Sequence, residues 1–210
     1  MPIKNRREFL KTAACVAAGA GFALAPTASG AAAPASGDEP TIVGPKPGYS
    51  PEIGTLTSMM AFMRSQVVGS VKKLTLAELD FLLDPKANTV GAMLMHLAAT
   101  ETYYQLHTFE GMKWGEFPEA VEKKWKVASE LGEAGRKELK GQEVGYYLGV
   151  LNETREKTLA SFKKRDDKWL FAVDKDWFWG PTNNYCKWFH VCEHESHHAG
   201  QISLTLSKGR

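Results

Sequence analysis

Four of the six histidines of this chain lie within nine residues near the C-terminus, in the segment 188–206, WFHVCEHESHHAGQISLTL. The segment has no proline and a single glycine, so it favours a helix. In a helix, His194 and His198 lie one turn apart on the same face. At that spacing two imidazoles can reach one metal ion. The segment therefore predicts a helix with a metal-binding pair.

Two apolar residues, Val191 and Ile202, continue the face that holds this pair, whereas His190 and His197 lie to one side of it. We expect the pair to face an interior and the other two histidines to lie nearer its edge. A single histidine on an apolar face is usually a core residue with a satisfied hydrogen bond. Four in so short a segment favour metal binding, because buried imidazoles need partners.

The N-terminus has the features of a targeting segment. Residues 5–11, NRREFLK, resemble the twin-arginine export signal, and residues 12–25 form an apolar run rich in Ala and Gly. This run is too short and too weakly hydrophobic for a stable membrane anchor. We expect residues 1–33 to be a signal peptide read by the twin-arginine export machinery, and the protein to be periplasmic or extracellular.

Charge excludes a general affinity for nucleic acid. The chain has a net charge of +2, and residues 1–33 contribute +3, so the remainder carries −1. A nearly neutral protein has no overall electrostatic attraction to phosphate backbones. Residues 34–49, rich in Pro, Ala, Gly and Ser, cannot bury enough apolar surface to fold alone and predict a flexible leader.

Helical periodicity begins at residue 50 and predicts the folded domain, residues 50–208. Ser50 and Pro51 are typical of a helix start, and apolar residues recur at helical spacing up to about Lys73. A second helix follows a cap at Asn88 or Thr89, a third covers about 142–164, and the histidine segment is the fourth. Four long helices with a polar cluster between them are typical of a helix bundle.

The second predicted helix carries a fifth histidine, His96, on or beside its apolar stripe. Alone it would be read as structural, but the pair on the fourth helix needs a third ligand. Glu101, five residues further on, is either a partner of a ligand or a solvated acid. Three imidazoles with one open position are typical of a catalytic metal site and not of a sealed structural one.

Two connections are unusually long. Residues 111–140 contain a short predicted helix, about 120–131, and a connection of this length often covers a site. Residues 166–184, DDKWLFAVDKDWFWGPTNN, alternate aromatic and charged residues and predict an extended or hairpin loop, which we expect to line a pocket near the metal. Thr182 or Asn183 is expected to cap the fourth helix.

Cys186 and Cys192 are too far apart for a disulfide within one helix, because their side chains diverge by about 240° and rise about 9 Å. Their spacing does not match a structural zinc motif, and the sequence leaves their role open. Residues 194–198 also match the H-E-x-x-H signature of zinc proteases. Only twelve residues follow His198, and none is His, Glu, Asp or Cys, so a zinc protease is disfavoured.

Two segments together, VGAMLMHLAATE around His96 and HESHHAGQI at residues 194–202, resemble the DinB family, which includes the DUF664 proteins. That family is a four-helix bundle of up-down-down-up order. The resemblance places His96, His194 and His198 at its metal-ligand positions, with Gly-Gln-Ile trailing the pair. Ala199 stands where the family commonly has arginine.

The resemblance implies an all-α fold and a divalent metal, zinc or nickel, held by the three histidines. Related proteins act on small-molecule substrates with low-molecular-weight thiols, as S-transferases or maleylpyruvate isomerases. An exported protein meets little reduced thiol, which is an argument against that substrate.

Two alternatives stay open at this stage. A metal-dependent hydrolase would use an activated water with Glu195 or Glu101 as base, and a non-enzymatic periplasmic bundle would only bind a metal or ligand. Water-driven turnover without thiol favours the first, and tight metal binding without an exchangeable water favours the second. Exposed helix faces would permit a homodimer, although no pattern specifies one.

Overall fold

The computed structural model describes residues 41–209, so the predicted signal peptide, residues 1–33, and the beginning of the predicted leader lie outside the described residues. Four long helices form the fold: α1 (Pro51–Val71), α3 (Val90–Thr108), α6 (Val144–Phe162) and α8 (Asn184–Lys208). Between them lie four short helices: α2 (Leu76–Leu79), α4 (Glu119–Glu130), α5 (Gly132–Glu138) and α7 (Asp167–Phe171). A two-stranded antiparallel hairpin, β1 (Val173–Asp174) with β2 (Thr182–Asn183), precedes α8.

Contacts between the long helices give their relative directions. α3 and α6 run parallel, because Gly91 lies against Tyr147 at one end and Phe109 packs on Phe162 at the other. α3 and α8 run antiparallel, because His96 meets His194 and Thr108 meets Trp188. α1 and α6 also run antiparallel, because Arg64 meets Leu151 and Met60 meets Arg155. α1 and α8, which pack on each other, are therefore parallel. The order is therefore up-down-down-up, and the predicted all-α bundle is confirmed.

The helix starts follow from local capping. Thr89 accepts a hydrogen bond from the Ala92 amide at 3.1 Å, and Asn183 accepts one from the Cys186 amide at 2.8 Å. Both residues are among the caps expected from the sequence. Ser50 precedes α1 as predicted, but its hydroxyl donates to Asp167 Oδ1 at 2.6 Å instead of capping its own helix.

Asp167 completes the cap of α1 from another element. Its Oδ1 also accepts from the amides of Glu52 at 3.1 Å and Ile53 at 3.3 Å. A carboxylate at a helix N-terminus satisfies free amides and interacts favourably with the helix dipole. The short helix α7, which the sequence did not predict, thereby ties the connection before the hairpin to α1.

Part of the predicted leader packs on the bundle. The Gly44 amide donates to Ser58 Oγ at 3.0 Å, and the backbone at Lys46 passes so close to Gly54 that an added Cβ would lie 2.5 Å from the Lys46 nitrogen. Glycine at position 54 thus permits the close approach. Among the helices within residues 41–209, none combines the length and apolar character that a membrane span requires.

The contact between Gly91 and Tyr147 sets the spacing of α3 and α6. A Cβ at Gly91 would lie 2.6 Å from the Tyr147 hydroxyl, which is too close for any side chain without movement. We expect Gly91→Ala to lower the free energy of unfolding by about 1–3 kcal/mol, because the core is overpacked. Urea unfolding of the purified protein measures it.

Gly149→Ala is the matched control. Gly149 lies in α6, and open space surrounds the position that a methyl group would take there. Alanine should therefore leave stability unchanged or raise it by about 0.5–1 kcal/mol through its better helix propensity. A Gly91→Ala protein as stable as the parent would contradict the close packing of α3 on α6.

Candidate metal centre

A backbone hydrogen bond fixes the orientation of His96 on α3. Its Nδ1 lies 2.9 Å from the carbonyl oxygen of Ala128 on α4. A carbonyl only accepts, so Nδ1 carries the proton and Nε2 keeps a free lone pair. The short helix in the long connection therefore orients the ring, as partners of metal-binding histidines commonly do.

Three imidazole nitrogens converge between α3 and α8. His194 Nε2 lies 2.9 Å from His96 Nε2 and 3.2 Å from His198 Nε2, and the candidate ligand atoms all lie within 4.8 Å of one another. The lone pair of His96 Nε2 is directed at His194 Nε2. This contact is favourable only when a proton or a cation lies between the two nitrogens. Tetrahedral zinc with Zn–N bonds of about 2.0–2.1 Å requires nitrogens about 3.3 Å apart, which is close to the two separations from His194.

The surroundings keep all three imidazoles neutral, which is the metal-binding form. Burial and the neighbouring His198 and His96 lower the pKa of His194 to about 3. Burial and His96 lower the pKa of His198 to about 4. Burial also lowers the pKa of His96, although its backbone hydrogen bonds oppose the shift.

The other two histidines of the C-terminal segment lie beside this cluster and not in it. His190 Nδ1 lies 2.9 Å from Glu193 Oε1, and the Gln201 side-chain amide lies 3.1 Å from His197 Nε2. His197 is exposed, and His190 is partly buried with its ring 5.3 Å from that of His194. The sequence-based expectation that these two lie nearer the edge agrees with their positions.

A cleft of about 330 Å³ opens beside the cluster. His96 and His194 line part of it. The rest of the wall is mainly aromatic, with two aliphatic hydroxyl groups: Thr100, Tyr103, Tyr104, Trp114, Ser129, Phe178, Trp179 and His190. Both long connections contribute to it, Trp114 and Ser129 from the first and Phe178 and Trp179 from the hairpin loop. The prediction that this loop lines a pocket beside the histidines is confirmed.

A buried lysine anchors the hairpin loop. Lys187 on α8 is only 1% exposed, and its Nζ donates to Asp174 Oδ2 at 2.6 Å and to His107 Nε2 at 2.8 Å. The ammonium also lies 4.3 Å from the ring centre of Trp177, a cation–π distance. Because His107 Nδ1 donates to the Met112 carbonyl, the ring accepts from Lys187 while neutral. The sequence did not assign a role to Lys187 or His107.

Each long helix contributes one charged side chain to a buried ion-pair layer. Arg64 on α1 donates to Glu195 on α8 at 2.6 and 2.9 Å and to Glu101 on α3 at 2.9 Å. Arg155 on α6 donates to Glu101 at 2.7 and 3.2 Å and to Glu195 at 2.7 Å. Thr158 adds a hydrogen bond to Glu101 at 2.6 Å. The two positive and two negative charges balance, which is what burial of such groups requires.

This layer accounts for the two candidate catalytic carboxylates. Burial alone would raise the pKa of Glu101, but the Arg155 and Arg64 guanidinium groups outweigh it and hold that pKa below its usual range. Glu195 Oε1 accepts from the same two arginines, and its Oε2 is buried without a hydrogen-bond partner within residues 41–209. Carboxylates held by guanidinium groups are weak bases, so the geometry favours a structural role. A catalytic role for either stays a prediction.

The two arginines were missed in the sequence, although a signal was present. Arg64 falls at helical spacing between Met60 and Val67, and Arg155 lies one turn after Leu151, so both interrupt apolar stripes. A charge on the buried face of a helix implies an internal counter-charge.

The two cysteines within residues 41–209 are free. Cys186 is exposed, and burial together with Glu195 raises the pKa of buried Cys192 to about 11.

A bundle of this order with three histidines between its second and fourth long helices is a DinB-like protein. The family model described as Mycothiol-S-transferase matches residues 55–205, so the chain belongs to the mycothiol S-transferase family. A conserved protein from Enterococcus faecalis has a similar crystal structure, with a TM-score of 0.52 and 13% identity over 73% of this chain and 94% of that one. That likeness supports the fold alone. No curated protein matches the chain.

Neutral buried histidines make the metal-free protein sensitive to acid. An unfolded histidine takes up a proton near pH 6.5, whereas folded His194 and His198 do so only near pH 3 and pH 4, so the unfolded state binds more protons between these values. We expect the free energy of unfolding, measured in urea after chelation, to fall as the pH drops from about 6.5 towards 4. His194→Gln should reduce that slope, whereas His197→Gln should retain it. Equal slopes in all three proteins would contradict the assigned burial.

The ion-pair layer predicts that removing a buried positive charge from α6 lowers the free energy of unfolding far more than removing an exposed one. Arg155→Gln leaves two buried carboxylates to a single guanidinium and should lower the free energy of unfolding by about 3–5 kcal/mol. Lys157→Gln removes only an exposed pair with Glu153 and should change it by less than about 1 kcal/mol. Urea unfolding of both proteins at pH 7 measures the difference, and similar values would show that the layer is not energetically coupled.

Proposed function

We propose that the protein is a metal-dependent enzyme that brings a low-molecular-weight thiol to an electrophile, with a divalent metal, zinc or nickel, held by His96, His194 and His198. One observation carries the proposal: three neutral imidazole nitrogens converge at the side of an open cleft. Membership in the mycothiol S-transferase family supports a small thiol as one substrate.

The donor set fits such an ion. Imidazole nitrogen suits both zinc and nickel, and three protein ligands leave a coordination position for a substrate. The proton that His96 shares with Ala128 keeps its Nε2 available, and burial keeps the other two rings unprotonated. Buried His198 Nδ1 has no hydrogen-bond partner within residues 41–209. The ring is therefore held by packing and by the contacts of its other nitrogen, Nε2. When bound, a divalent metal favours the thiolate form of a coordinated thiol at neutral pH.

The surrounding chain supplies position and shelter. The ion-pair layer joins α3 and α8 through Arg64, which binds Glu101, five residues after His96, and Glu195, the residue after His194. The aromatic wall of the cleft excludes water from one side, and the hydroxyl groups of Thr100 and Ser129 border it. The aromatic rings and the hydroxyl groups orient substrates by contact, and none of them has to gain or lose a proton to do so.

The hydrolase alternative has less support from the geometry. It needs a base beside the metal, and the two acidic candidates, Glu101 and Glu195, are held by Arg64 and Arg155. Export by the twin-arginine route remains part of the proposal, as does a periplasmic or extracellular location. Because reduced thiols are scarce there, the identity of the thiol must be tested and not assumed.

Metal content is the first test. We expect close to one zinc or nickel per chain in the purified protein, and loss of stoichiometric metal in His96→Ala and His194→Ala, because two imidazoles hold a divalent ion poorly. His197→Ala is the matched control, since it lies next to the ligands but outside the cluster, and should retain the metal. Elemental analysis with circular dichroism separates metal loss from unfolding. Full metal content in His96→Ala would overturn the ligand assignment.

Thiol binding is the second test. With nickel or cobalt loaded in place of the native ion, addition of mycothiol or glutathione should produce a thiolate-to-metal absorption band in the near ultraviolet. His197→Ala should retain the band. A metal-loaded protein that shows no thiolate band at millimolar thiol, but hydrolyses a substrate in thiol-free buffer, would favour the hydrolase. Metal without a band or turnover would favour a binding bundle.

A further inference from the structure

A continuous row of aromatic rings forms the wall of the cleft. The ring centres of Tyr104 and Trp114 lie 5.0 Å apart, those of Trp114 and Phe178 6.0 Å, and those of Phe178 and Trp179 5.2 Å. Trp179 then meets the His190 ring at 5.0 Å. Such spacings are typical of interacting aromatic pairs, and the row offers flat π-faces to a ligand.

No lysine or arginine among residues 41–209 lines the cleft to receive an anion. Within that part of the chain, no aspartate or glutamate lines it either. Two lining residues contact carboxylates: His190 Nδ1 lies 2.9 Å from Glu193 Oε1, and Tyr103 forms a hydrogen bond with Glu122. In the proposed function the thiolate takes the open position of the divalent ion, so an anionic group of a second ligand would lie towards the rim and face these carboxylates, whereas a cationic group would face the ion.

The outer part of the wall is exposed but firmly anchored. Phe178 and Trp179 are 61% and 47% exposed, which is unusual for two adjacent large aromatic residues. The preceding residue, Trp177, is buried against Lys187, and Lys187 in turn holds Asp174 at the base of the hairpin. The loop thus presents its rings in a fixed place, and a flat ligand in the cleft would cover them.

We propose that the electrophile of this enzyme is an uncharged, planar aromatic molecule that stacks on Trp114, Phe178 and Trp179. The inference rests on the proposed function, because it names the second substrate of the same site. In the transfer step the thiolate sulfur supplies the electron pair of a new carbon–sulfur bond. The leaving group departs with the pair of the bond that breaks, and the thiol proton goes to water, so no oxidant or reductant is needed.

Three matched probes test the class of ligand. 2-Acetylnaphthalene is flat and neutral, naphthalene-2-sulfonate is flat and negative, and 2-acetyldecalin is neutral but saturated. We expect calorimetry on the purified, metal-loaded protein to show that the flat neutral probe binds about tenfold more tightly than either of the others. Equal or tighter binding of the sulfonate, or of the saturated probe, would overturn the proposal.

A pair of variants locates the binding. Trp179→Ala removes a ring of the wall and should weaken 2-acetylnaphthalene binding by about tenfold. Phe171→Ala removes a ring that is equally exposed, at 50% against 47%, but lies outside the cleft, and should leave binding unchanged. Neither side chain is buried, so both variants are expected to fold. The same loss in both, or no loss in Trp179→Ala, would contradict the assigned site.

The readouts separate this inference from the proposed function. Trp179→Ala should keep the metal content and the thiolate band of the parent, because the histidine cluster is intact. A parent that binds metal and thiol but shows no preference for the flat neutral probe refutes the inference and leaves the proposed function standing. A parent that lacks metal refutes the proposed function, while the binding of the probes is still measured directly.

Discussion

The structure depends on one buried layer of charge in which all four long helices meet. Arg64, Glu101, Arg155 and Glu195 come from different helices and pair across the centre of the bundle. Burying four charges is costly, and apolar residues of similar volume would often stabilise a core as well or better. What such a layer supplies is register, because any slip of one helix leaves a charge without its partner. Helix register, in turn, decides which histidines can meet.

The cluster of three histidines follows from that register. Glu101 lies five residues after His96 on α3, and Glu195 lies one residue after His194 on α8, so pairing the carboxylates through shared arginines also brings the two histidines together. His198 then joins through the helical period alone. The same arrangement keeps the two carboxylates out of the lining of the cleft, so neither lies free beside the histidines.

The two long connections complete the site in different ways. The first supplies the Ala128 carbonyl that fixes the tautomer of His96, and the second supplies the aromatic rings that Lys187 holds in place. The sequence predicts their involvement only in outline. Length and aromatic content indicate a functional loop, but neither shows that a carbonyl will meet one ring nitrogen or that a lysine will be buried beneath a tryptophan.

The sequence by itself determined the long helices, two of their caps to within one residue, and the candidate ligands on them, because helical period and capping are local properties of the chain. The two arginines that interrupt apolar stripes were also visible in the sequence, but no buried ion pair was predicted from them. Only the tertiary structure decided that Glu101 and Glu195 pair with arginines instead of facing the cleft, and that Asp167 caps a helix more than a hundred residues earlier. These contacts join residues far apart in the chain, and their partners are set by how the helices pack, which no local pattern encodes.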